Sequence, residues 1–256
     1  MTAKLDEETA VPRQPRLRDL GIAPGVLPPG PLNAITDVPG VRVGHSTVIF
    51  GDGALRPGQG PARTGVTAIH PHADSAFTFS VPAATAVLNG TGEVTGRAHI
   101  DELGLLESPL LLTTTHSVGA VHQACIEWLC RHEPLLIDNH FAIPVIAETF
   151  DGHLSDAAGQ HVTREHVHAA LDQATPGPVA EGNVGGGTGM RLFGFKGGIG
   201  TASRVVTLPA SEREPERRYT VGVLIQGNFG QRADLLVNGV PVGRELVDWM
   251  PAPPPP

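Results

Sequence analysis

Ser117 sits in the run His116-Ser117-Val118-Gly119, between a predicted strand and a predicted helix. A nucleophile elbow has that setting, but it opens on a glycine that is missing here. Neither H-E-x-x-H nor G-x-S-x-G occurs, and no complete pairing of a nucleophile with a base is visible in the chain. His70-Pro71-His72 lacks a nearby third ligand, so the two read as surface histidines and no metal is expected. The glycine-dense stretch from Gly182 to Gly200 invites a phosphate-binding reading. It fails, because Lys196 is followed by Gly197 where a Walker loop needs Ser or Thr, and Gly185–Met190 lacks the dinucleotide spacing. No cofactor is expected.

Five segments remain that place Gly, Asn, Thr or Ser at or just past the end of a predicted strand, where backbone can approach a ligand closely. They are Asn89–Gly96, Thr113–Gly119, Ala147–Asp156, Glu181–Val206 and Val223–Arg232. Glu148 follows the apolar run Pro144–Ala147, an expensive place for a carboxylate unless it meets a cation, either an internal Arg or Lys or a ligand. Asn228 lies just past the strand Tyr219–Ile225 and suits either a preorganised amide donor or a tight turn over Gly227–Gly230. His116 and Ser117 precede a helix whose first free N–H groups can bind a carboxylate or oxyanion; Ser117 serves equally well as an ordinary cap.

The elements that must position these residues are short strands and two amphipathic helices. Strands are predicted at Val41–Val48, Gly65–Pro71, Phe77–Ser80, Ala83–Leu88, Leu110–Thr114, Pro144–Ala147, Arg204–Leu208 and Tyr219–Gln226. The Tyr219–Gln226 run reads as the most clearly buried of them. Val118, Val121, Cys125, Trp128 and Leu129 recur at three- and four-residue intervals, predicting a helix from about 118 to 132. A second helix follows the capping Thr163, with Val167, Ala170, Leu171 and Ala174 inward. Asn238-Gly239 predicts a hairpin turn over Leu235–Val242.

Composition agrees with a sheet-rich α+β or layered α/β fold: 40 % hydrophobic, 17 % charged, Gly 32 and Pro 24. A net charge of −8 and a single Tyr disfavour a nucleic-acid partner. No apolar run approaches a membrane span and the N-terminus has no signal-peptide core, so a cytoplasmic protein without a membrane partner is expected. Cys125 and Cys130 read as buried free thiols.

In this order, the five segments resemble the DmpA-type aminopeptidases, the family of L-aminopeptidase/D-esterases and β-peptidyl aminopeptidases. The resemblance runs from about Leu32 to Arg244, and Glu181–Arg204 is its most specific part. It implies an α/β (α+β) fold, a four-layer αββα sandwich like that of N-terminal-nucleophile hydrolases, here without its C-terminal β-subunit portion. It also implies a precursor that cuts itself into a large and a small subunit, the small β subunit opening on a serine nucleophile. The partners it implies are that β subunit, higher homo-oligomers of αβ units, and a small peptide, amide or ester substrate.

Carried onto this chain, the resemblance makes Asn228 the oxyanion donor and Glu148 the acceptor of the substrate's free amino group. Phe150 stands where some family members carry Tyr, which keeps the ring and loses a hydroxyl, leaving a role for backbone or packing. His116 and Ser117 complete the substrate-binding candidates. Gly185, Gly186, Gly187 and Gly189 read as backbone of the active-site wall. The expected organisation is a flexible arm over 1–30, one catalytic domain over 31–247 and a Pro-rich linker over 248–256, with the nucleophile beyond the last residue. An acyltransferase of the ornithine acetyltransferase kind and a non-catalytic binding protein on the same fold remain open beside the hydrolase.

Overall fold

The computed structural model describes residues 15–138, 140–211 and 214–246. Its strands are β1 (Arg42–Phe50), β2 (Ala62–His70), β3 (Val81–Pro82), β4 (Leu105–Leu106), β5 (Leu110–Thr114), β6 (Val145–Thr149), β7 (Arg191–Leu192), β8 (Phe195–Lys196), β9 (Gly198–Leu208) and β10 (Arg217–Gly227). The helices are α1 (Arg97–Leu103), α2 (Val118–His132), α3 (Arg164–Asp172) and the single-turn α4 (Val242–Glu245).

The main sheet runs in the order β1-β2-β5-β6, antiparallel except for the parallel pair β5 and β6. That pair is parallel because α2 carries the chain back across the sheet between them. Helices α2 and α3 cover one face, burying Val121, Ala124, Cys125 and Leu129 of α2 with Val167, Ala170 and Leu171 of α3 against Val66, Ala68, Leu111 and Ile146. The other face packs Val43 and Ile69 toward Leu224 of the β9–β10 hairpin. Burial on both faces explains why β2 is apolar or small at nearly every position instead of alternating.

The described residues thus form a helical layer, a sheet and a second, two-stranded sheet. This is the expected sandwich without an outer helical layer among the described residues. Beyond the hairpin, Tyr219, Val221, Val223 and Ile225 are 45–53 % exposed. The strand expected to be most buried is therefore buried on one side only. Its outer edge pairs with no strand among the described residues.

The periodicity-based elements hold closely: β5, α2 and α3 fall where the sequence places them, with Thr163 as the N-cap residue of α3. Phe77–Ser80 is a turn and Ala83–Leu88 is irregular, so neither is a strand. Asn238 and Gly239 do adopt the positive φ of the expected turn, at 50° and 84°, but a single bridge between Val237 and Val240 replaces the hairpin. Residues 15–30 lie against β9, with Val205 N–H donating to Pro28 O at 2.8 Å and Gly30 N–H to Ser203 Oγ at 2.9 Å, and Arg16 pairs with Glu181 at 3.0 Å. Residues 1–14 and 247–256, which hold the rest of the expected arm and the linker, lie outside the described residues.

His70 is buried, its Nε2 3.1 Å from Leu171 O, and not on the surface. Cys125 is buried as expected, and burial pushes its thiol up to about 12; Cys130 is exposed. No helix among the described residues is long and apolar enough to cross a membrane.

Candidate active site

Parallel pairing sets Thr113 beside Glu148 and Thr114 beside Thr149, so β5 and β6 end together. The loop before α1 joins them: Val94 bridges Ala147, and Glu93 N–H donates to Glu148 Oε1 at 2.9 Å. Thr115 Oγ1 donates to the other carboxylate oxygen. No ion pair to Glu148 forms among the described residues, so the internal Arg or Lys allowed by the sequence is not what accompanies it. The carboxylate is partly exposed and held by two neutral donors.

The second sheet reaches the same end through Gln226, the last inward-facing side chain of β10. Its Nε2 donates to Thr113 O at 2.9 Å and to Thr149 Oγ1 at 2.6 Å, tying the two sheets together. Two residues on, Asn228 Nδ2 donates to Phe150 O at 2.9 Å, and Arg191 N–H reaches Asn228 Oδ1 at 3.3 Å. Both ends of the amide are thereby oriented, and one N–H of Nδ2 remains to donate elsewhere. An amide fixed in this way costs little reorganisation when charge develops on a bound carbonyl oxygen.

Two pockets meet at this point. One, of about 500 Å³, is lined by Asn89, Thr91, Thr115, Glu148, Phe150 and Asn228. The other, of about 330 Å³, is lined by Phe150, His153, Arg191, Gly194, Asn228 and Phe229. Asn228 and Phe150 belong to both and form the boundary. Phe150 contributes its carbonyl oxygen to Asn228, and its ring makes edge contacts with His116 and His153, each 6.1 Å between centroids.

The remaining sequence candidates lie around this centre. His116 Nδ1 contacts Ala157 O at 3.2 Å, and the residue touches the site only through the Phe150 ring. Ser117 is fully buried at the start of α2, makes no cap hydrogen bond, and leaves its Oγ without a partner. Neither residue lines either pocket.

Gly185, Gly186, Gly187 and Gly189 also sit one layer deeper than the pocket walls. The first three form a buried single turn between the main sheet and the β9–β10 hairpin. A Cβ on Gly185 would lie 2.4 Å from Thr67 Oγ1, one on Gly187 2.5 Å from Ile199 N, and one on Gly189 2.1 Å from Arg63 O. The glycines let a chain thread between two sheets, and the exit of that chain carries Arg191 and Gly194 to the second pocket.

Gln226, Thr115 and Arg191 escape a sequence reading built on strand-end Gly and Asn. Gln226 had a signal, since it is polar on the inward register Thr220, Gly222, Leu224 of β10. Asp151, next to Phe150, is fully buried, and burial raises its carboxyl above the ordinary range although Thr114 Oγ1 donates to it at 2.7 Å. No three His, Cys, Asp or Glu side chains among the described residues are grouped to hold a metal ion.

The model of peptidase family S58 matches residues 33–252. The chain is 53 % identical over 232 residues to the β-peptidyl aminopeptidase BapA of Sphingosinicella xenopeptidilytica, covering 91 % of this chain and 56 % of that protein. Among solved structures it resembles the PH0078 protein of Pyrococcus horikoshii OT3, with a TM-score of 0.86 and 45 % identity over 91 % of this chain and 65 % of that one. It also resembles the L-aminopeptidase D-Ala-esterase/amidase of Ochrobactrum anthropi, described as a variant of the Ntn hydrolase fold. There the TM-score is 0.82 and the identity 45 %, over 92 % of this chain and 63 % of that one. The chain thus has the fold of these solved proteins while spanning about half the length of the curated relative and under two thirds of the solved ones.

Proposed function

From the fact that this chain belongs to peptidase family S58, we propose that it forms the larger portion of a serine-type aminopeptidase. Its substrates are short peptides, amides or esters with a free amino terminus. The observation that carries this reading is the placing of Glu148 and Asn228 on one pocket, the first without a cation and the second with an oriented amide. A substrate ammonium neutralises Glu148, and the acyl carbonyl lies at Asn228, whose free N–H stabilises the oxyanion.

The nucleophile is proposed to lie on a further segment that begins with serine and arises by self-cleavage of a longer precursor. A free α-amine beside a hydroxyl takes the hydroxyl's proton, so one residue supplies both nucleophile and base. Two features support the need for that segment. Ser117 Oγ is buried without a base beside it, and nothing among the described residues covers the outer face or outer edge of β10. An apolar stripe and an open strand edge of that kind accept a further strand.

The test is co-expression of the 256-residue chain with a β-rich segment beginning at Ser, assayed on an aminoacyl amide. Turnover is expected for the pair and not for the chain alone. Turnover by the chain alone sinks the divided site, and unchanged turnover of the pair on Glu148→Gln sinks the role of Glu148.

A further inference from the structure

The second pocket adjoins the proposed acyl site, and its chemistry is different. If the amino group of a substrate lies at Glu148 and its carbonyl at Asn228, the leaving group must continue past the Asn228–Phe150 boundary. It then enters the pocket lined by Arg191, His153 and Phe229. No carboxylate lines that pocket. The Arg191 guanidinium makes no ion pair or hydrogen bond among the described residues. Among the described residues, one pocket thus carries a carboxylate without an ion pair and the next a guanidinium without one, with the amide donor between them.

Arg191 is held there by the fold. It opens the β7–β8 hairpin, whose tip residues Phe193 and Gly194 take φ of 51° and 72°. Phe193 N–H donates to Phe229 O at 2.9 Å and its ring meets that of Phe229 edge-on at 5.3 Å. Arg191 N–H contacts Asn228 directly. The Arg191 backbone is therefore tied to the Asn228 side chain, which keeps the root of the cation beside the oxyanion donor.

We propose, resting on the aminopeptidase reading above, that Arg191 binds the free C-terminal carboxylate of the leaving residue, so that the preferred substrate is a dipeptide acid over its amide or ester. A guanidinium presents a planar pair of N–H groups that matches a carboxylate with two parallel hydrogen bonds. Glu148 and Arg191 then grip the two ends of a zwitterion, and longer peptides lose the second grip.

The experiment is calorimetric titration of the purified 256-residue chain with L-alanyl-L-alanine and with L-alanyl-L-alaninamide. The acid is expected to bind about tenfold more tightly than the amide, the scale of one charge-assisted pair. Arg191→Gln is expected to bring that ratio to about one, and Arg191→Lys to keep part of it. Glu148→Gln is expected to weaken both compounds while preserving the ratio. A wild-type ratio near one, or a full ratio in Arg191→Gln, overturns the assignment of Arg191. Unchanged binding of both compounds by Glu148→Gln overturns the aminopeptidase site while leaving the Arg191 ratio readable. Failure of wild type to bind either compound overturns the assignment of Arg191, while the aminopeptidase reading stands or falls on turnover by the pair.

Discussion

Gly186→Ala tests the layer arrangement that brings β10 to the site. Gly186 does not need a positive φ, so the effect of a methyl group there is steric. The Cβ would lie 2.2 Å from Gln226 Oε1 and 2.5 Å from Leu112 O. Ordinary contact is about 1 Å longer than either, and the carbonyl belongs to β5, which cannot retreat without disturbing the main sheet. Overpacking of this kind costs about 1–3 kcal/mol. Displacing the Gln226 amide also breaks its bonds to Thr113 O and Thr149 Oγ1, about 0.5–1.5 kcal/mol each. The sum is about 4 kcal/mol, or a Tm lower by about 8–16 °C at the slope for a chain of this size.

Gly119→Ala supplies the opposite sign with the same chemical change. Gly119 is helical, in the first turn of α2, with no atom within 4 Å of its Cβ position, so Ala gains about 0.4–1 kcal/mol from the unfolded chain. Thermal melts of the two variants and wild type, read by near-UV circular dichroism in one buffer, separate the readings. A Gly186→Ala midpoint within 2 °C of wild type refutes the packing of this turn between the two sheets.

The acid side of stability carries a specific signature. Burial lowers His45 from 6.5 to about 4, so the unfolded chain binds more protons than the fold between those values. Stability falls as pH drops from 6.5 toward 4, by about 3 kcal/mol at 1.36 kcal/mol per pH unit, and His45→Asn flattens that slope in denaturant titrations. Asp151 has the opposite sign: its carboxyl is raised by burial, so stability falls as pH rises from the ordinary carboxylate range through the folded value. The stability difference between Asp151→Asn and wild type should therefore grow in favour of the variant with rising pH. For Asp156, burial raises the carboxyl but His161 and the N–H groups of Gly60, Gly58 and Gly159 outweigh it, leaving it below the usual range. Its contribution is present above the unfolded value and lost as pH falls through the folded one; Asp156→Asn should remove that loss from an acid-unfolding curve. In the chain paired with the proposed serine segment, the proposed oxyanion role predicts that Asn228→Ala lowers kcat about 10²–10³-fold with little change in KM. An equal rise in KM would assign Asn228 to binding instead.

Local order was legible in the sequence because it is written at short range. The three- and four-residue spacing of Val118, Val121, Cys125 and Leu129 set α2, and Thr163 marked the start of α3. Glu148 and Asn228 stood out because each is polar beside an apolar run. Tertiary structure alone decided which faces meet. The outer side of β10 repeats Tyr, Val, Val and Ile, which reads as buried, yet nothing among the described residues covers it. The glycine turn at 185–187 reads as a pocket wall, yet it fills the gap between two sheets that the chain sets far apart in sequence. The meeting of Arg191 with Asn228, and of Gln226 with Thr113 and Thr149, spans 37 to 113 residues. Such contacts depend on sheet order and layer spacing, which arise only when whole faces pack, and no local pattern in the chain encodes them.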